Sequence, residues 1–153
     1  SRGGDECRIA ADITDSGNLT ANDHPLTYDA HADITVVEGG RDVAWTAHFT
    51  GTTRRGRAIE QSSTLDIHAD EATSCLQVAG DIEGHLDEHA YGASIDALRV
   101  CPDRCPESGV VDAHVQGRLR DRSIEIRFDG SSTAQVTGWT GRQFEVQMVC
   151  EGE

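Results

Sequence analysis

Polar and apolar residues alternate along most of this chain, which is the period of a β-strand rather than of a helix. The alternation is clearest in residues 26–36 and 43–53, which are separated by Glu38-Gly39-Gly40-Arg41. A two-glycine turn of this kind favours a type I′ hairpin in which Glu38 lies opposite Arg41. One face of the hairpin would then be apolar and the other polar, and a slip of one residue would mix them. The predicted apolar pairs are Val36 with Val43, Ile34 with Trp45, Ala32 with Ala47 and Ala30 with Phe49.

Further turn signals predict that the same arrangement continues along the chain. Arg54-Arg55-Gly56 has the form of a three-residue turn with glycine in the left-handed position, which would place Trp45 opposite Leu65. Closing the next hairpin at residues 70–73 brings Ile67 near Leu76. In the C-terminal third, a turn at Asp121-Arg122 would place Leu119 opposite Ile124 and Arg118 opposite Glu125, and Thr140-Gly141-Arg142 forms the last turn. Residues 15–24 are expected to be a loop, and residues 84–101 a loop followed by a strand.

These patterns predict an all-β fold, an antiparallel meander of about ten strands that forms one domain over residues 1–153. Such a meander must protect its edges, so it is expected to close into an up-and-down β-barrel or to fold into a two-sheet β-sandwich. Many positions on the apolar face are small, which would permit close sheet packing in a sandwich or leave a ligand cavity in a barrel. These positions are Ala30, Ala32, Ala47, Gly51, Ser63, Gly80, Gly84, Ala113, Gly117, Ala134 and Gly138.

Composition and charge narrow the range of partners. Hydrophobic residues make up 37% of the 153 residues and aromatic residues only 5%, so the core must be built from small and aliphatic side chains. The formal net charge is -14, from 27 acidic and 13 basic residues. Such an acidic surface repels phosphate, so nucleic acid is not an expected partner. No apolar run is long enough to span a bilayer as a helix.

Five cysteines, in a chain rich in turn residues, predict disulfides formed in an oxidising compartment. They are Cys7, Cys75, Cys101, Cys105 and Cys150. Two bridges are expected, the pairing is open, and one cysteine remains that is either free or intermolecular. The segment from Cys101 to Cys105, in which a proline follows each cysteine, is expected to be held by at least one bridge. The predicted location is secreted, periplasmic or on the cell surface.

Histidines supply the candidate metal ligands. His85-Leu86-Asp87-Glu88-His89 matches the H-x-x-E-H pattern of one class of zinc proteases, but that chemistry requires a long helix, and here the motif lies between strand signals. The predicted register places His31 directly opposite His48 on the polar face, where two imidazoles could bind a divalent metal. No third ligand is evident, so the sequence predicts no obligatory cofactor. A divalent metal is the cofactor that these histidines could bind.

No assembled acid–base pair or nucleophile motif is present, so the protein is expected not to be an enzyme. The sequence favours a non-catalytic extracytoplasmic structural or interaction protein, self-assembling on a bacterial cell surface, with itself or another surface protein as partner. A small-molecule-binding β-barrel is the first alternative. A metal-binding protein that uses strand histidines is the second.

Overall fold

A computed structural model describes residues 10–21 and 24–150. This part of the chain contains ten β-strands and no helix, as the alternating pattern predicts. The strands are β1 (Ala10–Ala21), β2 (His24–Val37), β3 (Gly40–Thr52), β4 (Ala58–Asp70), β5 (Leu76–Leu86), β6 (His89–Val100), β7 (Ser108–Val115), β8 (Arg122–Phe128), β9 (Thr133–Thr137) and β10 (Gln143–Gln147).

The ten strands form one antiparallel sheet in which each strand pairs with its neighbours in the sequence. The all-β meander is therefore confirmed. The sequence left a barrel and a sandwich open, and within the described residues the hydrogen-bonded order begins at β1 and ends at β10. These two edge strands differ greatly in length, since β1 has 12 residues and β10 has 5. If the sheet closed into a barrel through these two strands, most of the β1 backbone would find no hydrogen-bond partner on β10.

The β2–β3 hairpin has the predicted faces but a different register. Val37 lies opposite Gly40, so Ile34 pairs with Val43 and Ala32 with Trp45. The predicted pairing is wrong by two residues, because the turn residues are Glu38 and Gly39 and not the two glycines. Gly40 belongs to β3 instead, where a Cβ atom would overlap the carbonyl oxygen of Ala69 on β4. A shift of two residues returns every side chain to the same face.

The three-residue turns are confirmed. Thr53 and Arg57 close the β3–β4 hairpin through a backbone hydrogen bond of 2.8 Å, Gly56 has a φ of 76°, and Trp45 lies opposite Leu65. The same geometry recurs in the β9–β10 turn, where the Gly138 amide donates to the Arg142 carbonyl at 2.8 Å.

Other predicted segments need correction. In residues 84–101 the predicted strand is confirmed as part of β6, but the predicted loop before it is wrong, because β5 and β6 form a tight hairpin in which Leu86 pairs with His89. Most of the predicted loop at 15–24 is the second half of β1 and the start of β2.

Two further predicted pairings are wrong by an even number of residues. Ile67 pairs with Val78 rather than with Leu76. Ile124 pairs with Ala113 rather than with Leu119, which is 96% exposed in the β7–β8 loop. The Arg118–Glu125 pair is also absent from the ladder, since Glu125 lies opposite Asp112.

Side chains on the apolar face are mostly half-buried, and few are enclosed. The buried hydrophobic residues of the described chain are Ala32, Ala134, Val136 and three cysteines, and no large side chain there is fully buried. The protein has an accessible surface of 10831 Å². A compact monomer of 16.5 kDa would expose about 7,500 Å². The described strands thus form one hydrogen-bonded sheet whose apolar face is only partly removed from water.

Two disulfides hold one corner of the sheet, which confirms the predicted number of bridges. Cys75 and Cys101 are bonded beside the last residue pair of the β5–β6 ladder, and Cys105 is bonded to Cys150, which follows β10. The segment from Cys101 to Cys105 is thus anchored at both ends. Because these four cysteines pair with one another, Cys7 is left over; it lies outside the described residues.

Candidate functional site

The polar face of strands β2 to β10 carries their acidic residues and most of their histidines. In a strand, alternate side chains project to opposite faces, so the register assigns each residue to one face. Every carboxylate of strands β2 to β10 lies on the polar face. They are Asp29, Asp33, Asp42, Glu60, Asp66, Asp70, Asp81, Glu83, Asp96, Asp112, Glu125 and Glu145.

His31 and His48 line the same shallow cleft of about 330 Å³ on this face, but they are not directly opposite each other. The two-residue shift places His31 opposite Thr46 and His48 opposite Asp29, so the predicted cross-strand imidazole pair is wrong. Each ring has its own partners. The Nδ1 of His31 lies 3.0 Å from the Thr14 hydroxyl, and its Nε2 lies 3.1 Å from an Asp33 carboxylate oxygen.

His48 is held in a similar way from β4. Its Nδ1 lies 2.9 Å from the Ser62 hydroxyl, and its Nε2 lies 3.6 Å from a Glu60 carboxylate oxygen. Both rings are therefore engaged by neighbours on adjacent strands. The described residues contain no group of three or more His, Cys, Asp or Glu side chains arranged to hold a metal ion.

A second, larger cleft of about 460 Å³ lies further along the polar face. Its floor includes Ala44 and Ala79, and the Nδ1 of His68 is 2.6 Å from an Asp42 carboxylate oxygen at its rim. Asp33 and Asp66 also line it. Three aspartates therefore line the cleft, which is open to solvent.

The structure separates the two histidines of the H-x-x-E-H motif. Asp87 and Glu88 form the turn between β5 and β6, and Asp87 has a positive φ of 53°. His85 pairs with Ala90, whereas His89 pairs with Leu86, so the two histidines lie on opposite faces of the sheet. A strand hairpin therefore cannot reproduce the helical spacing that this zinc motif requires.

The apolar face is organised in rows that cross the strands. One row of small residues, Ala30, Ala47 and Ser63, runs between two rows of large ones. On one side of it lie Tyr28 and Phe49, and on the other Trp45 and Leu65. The face therefore has a shallow apolar groove flanked by two ridges. Near its margins several large side chains are more than one third exposed, among them Ile13, Val115, Phe144 and Val146.

The Tyr91 side chain covers a position on the apolar face where the neighbouring strand has only glycine. Its ring lies over Gly84, its cross-strand partner, where a Cβ atom would come within 2.5 Å of the ring. Its hydroxyl donates a hydrogen bond of 2.8 Å to the Gln61 side-chain oxygen on β4. Burial raises the pKa of this phenol, so it remains a hydrogen-bond donor at neutral pH. This contact depends on the β5–β6 register, so the sequence pattern does not predict it.

Arg99 links the disulfide corner to the β4–β5 turn. Its guanidinium is 2.9 Å from Glu107 and 4.0 Å from Asp70. Asp70 also accepts a hydrogen bond of 2.9 Å from the Ala72 amide. This hydrogen bond, with further contributions from Thr73 and Arg99, lowers the pKa of Asp70.

The Asp70 carboxylate predicts an acid-dependent loss of stability. Because its pKa is lower in the folded than in the unfolded state, its contribution is present above the unfolded value of about 3.9 and is lost as the pH falls through the folded value. We expect Asp70→Asn to be less stable than the wild type at neutral pH, and the difference to shrink as the pH falls below the unfolded value and to disappear below the folded one. Urea unfolding across this pH range measures it. Asp66→Asn, an acidic residue on the same strand, is the matched control; an equal pH-dependent loss there would contradict the role of Asp70.

Fold and surfaces together define a disulfide-linked, single-sheet β-meander with one acidic face and one partly exposed apolar face. No family model, curated protein or solved structure matches the chain. No helix that could cross a membrane occurs in the described ranges 10–21 and 24–150.

Proposed function

We propose that this protein is a non-catalytic extracytoplasmic structural or interaction protein that self-assembles, with a bacterial cell surface as its setting. The observation that carries the proposal is the single ten-stranded sheet of the described residues, whose apolar face is only partly buried. A sheet normally buries one face against another layer. A protein with this construction gains its missing layer when it associates.

The disulfides support the extracytoplasmic part of the proposal. Cys75, Cys101 and Cys105 are 4%, 7% and 5% exposed, which is typical of structural bridges rather than of reactive thiols. Such bridges persist in oxidising compartments outside the cytoplasm. The acidic polar face would keep the outer surface of an assembly soluble.

The small-molecule alternative has less support. The cleft of about 460 Å³ lies on the acidic polar face and is open, whereas typical ligand pockets are enclosed and mostly apolar. The metal alternative is weakened by the separation of His85 from His89 and by the hydrogen-bonded rings of His31 and His48.

Self-assembly predicts a native mass above that of one chain. We expect sedimentation velocity and light scattering of the oxidised, full-length protein to give at least twice the monomer mass of 16.5 kDa. Electrophoresis with and without reductant would reveal whether Cys7 adds a covalent link between copies. A protein that stays monomeric at all accessible concentrations would contradict the proposal.

A further inference from the structure

We infer that the apolar face of the sheet binds the same face of a second copy, giving a two-layer β-sandwich made from two chains. This inference rests on the proposed self-assembly and specifies its interface. The contact would be centred on the groove of Ala30, Ala47 and Ser63.

The exposed area matches what a stable dimer needs. The accessible surface of 10831 Å² exceeds the expectation for a compact monomer of this mass by about 3,000 Å². A standard interface buries about 800 Å² on each partner, and obligate homodimers bury more. This excess includes both faces and the edges of the sheet, and the apolar face needs to contribute only about 800 Å² of it for a standard interface between two chains.

Charge favours the apolar face as the contact between copies. Each chain carries a formal charge of -14, so contact through the acidic faces would be opposed by strong repulsion. In β2 to β10 the carboxylates project from the opposite face, as the register shows. In β1 the register places one acidic residue, Asp15, opposite Ala30, so one acidic position lies at the edge of the apolar face. Apolar-to-apolar packing thus turns the acidic surfaces of both copies outward, about as far apart as a sandwich permits.

The shape of the face suits a second copy of itself. A twofold axis brings identical patches together, so a surface must complement itself to form such a dimer. Here a groove of small side chains runs beside ridges formed by Tyr28 and Phe49 and by Trp45 and Leu65. The ridge of one copy can enter the groove of the other, as side chains of two packed sheets interdigitate.

Edge-to-edge pairing explains these observations less well. β10 offers only five residues, and Glu145 at its centre would face its own counterpart in a symmetric pair. Pairing of edges would also leave the apolar face in water. The edge strands are therefore a competing outcome that the experiment must distinguish.

The test compares one substitution on each face of β3. Ala47 lies in the groove, and Ala44 lies on the polar face of the same strand. We expect Ala47→Arg to weaken dimerisation at least about 100-fold, because the interface would enclose an unpaired charge. Ala44→Arg adds the same charge on the outer face and should leave the dimer intact. Analytical ultracentrifugation of both variants, each comprising residues 1–153, measures their dimer dissociation constants. Circular dichroism checks that both variants fold.

Side-chain footprinting of the wild type keeps the test independent of how the variants fold. Hydroxyl-radical labelling of Trp45 and Tyr28 should fall as concentration rises and dimer forms. Labelling of Trp139, which is 49% exposed in the β9–β10 turn, should stay constant.

Each alternative result has a definite meaning. Oligomers that persist in Ala47→Arg, with amide protection in β10, would overturn the face-to-face interface but leave self-assembly standing. A monomeric wild type would end both proposals. A monomer that carries a bound small molecule or lipid in native mass spectrometry would assign the apolar face to that ligand instead.

Discussion

Replacing Cys105 and Cys150 together with serine is expected to destabilise the protein by about 4 kcal/mol. The bridge closes a loop with a sequence separation of 45 residues, and it ties the C-terminal end of the sheet to the β6–β7 connection. Without it the unfolded chain gains conformational freedom. For Cys75 and Cys101, separated by 26 residues, the same relation gives about 3.5 kcal/mol. A small domain has only about 5–15 kcal/mol in total, so either loss is large.

The thin core makes this sheet especially dependent on its bridges. No large side chain of the described residues is fully buried, so hydrophobic burial offsets less of the entropy of folding than in a layered domain. Urea unfolding under non-reducing conditions measures the loss, which should also lower the melting temperature by about 8–16 °C. Cys7→Ser is the control, because it removes a thiol but neither of the two bridges. A double-serine variant as stable as the control would show that the corner is held by other contacts.

Gly80→Ala is expected to cost at least about 3 kcal/mol. Gly80 lies at a bulge in β5, with a φ of 145°, a backbone conformation that other residues rarely adopt. A Cβ atom there would also overlap the carbonyl oxygen of Thr64 on β4. Because the obstacle is backbone within the sheet, neither strand can move aside without breaking ladder hydrogen bonds.

The matched control for this prediction is Gly56→Asn in the β3–β4 turn. Gly56 also has a positive φ, of 76°, but nothing lies within 4 Å of a Cβ atom placed there. Asparagine tolerates the left-handed region, so the cost should stay below about 1 kcal/mol. Chemical denaturation of the two variants beside the wild type gives the comparison. Equal losses would mean that backbone conformation alone, and not the approach of β4, requires glycine at position 80.

The sequence predicted the faces of the sheet better than its pairings. Ile34, Ala32 and Ala30 were placed correctly on the apolar face, although each was assigned a partner two residues away from the observed one. Ile67 and Ile124 were also placed on the correct face, and their observed partners lie two and six residues away from the predicted ones. All of these shifts are even, because an odd shift would bring apolar and polar side chains onto the same face.

Turns explain which registers could be predicted. In the β3–β4 hairpin, Gly56 is the only glycine between the strands, so the local signal was sufficient and Trp45 was correctly paired with Leu65. In the β2–β3 hairpin two glycines were available, and the choice between them depends on the approach of Ala69 from β4 to Gly40. That approach is a contact between distant residues, which a local pattern does not contain.

The candidate histidine site shows the same limit. Placing His31 and His48 on the polar face required only their position in the alternation, but placing them opposite each other required the register. His85 and His89 were assigned to a loop between strand signals, whereas the structure places them in a hairpin whose turn, Asp87-Glu88, lacks the usual glycine. Asp87 adopts a positive φ there without one, as Asp and Asn can do more readily than most residues.

By itself the sequence determined that this protein is an all-β meander with one apolar and one acidic face and two disulfides, because strand period, turn residues and cysteine number are local or compositional properties. Only the tertiary structure decided which cysteines pair, which residues face each other, and that the described strands form one sheet in the order β1 to β10. These features depend on contacts between residues far apart in the chain, and on how well the lengths of distant strands match.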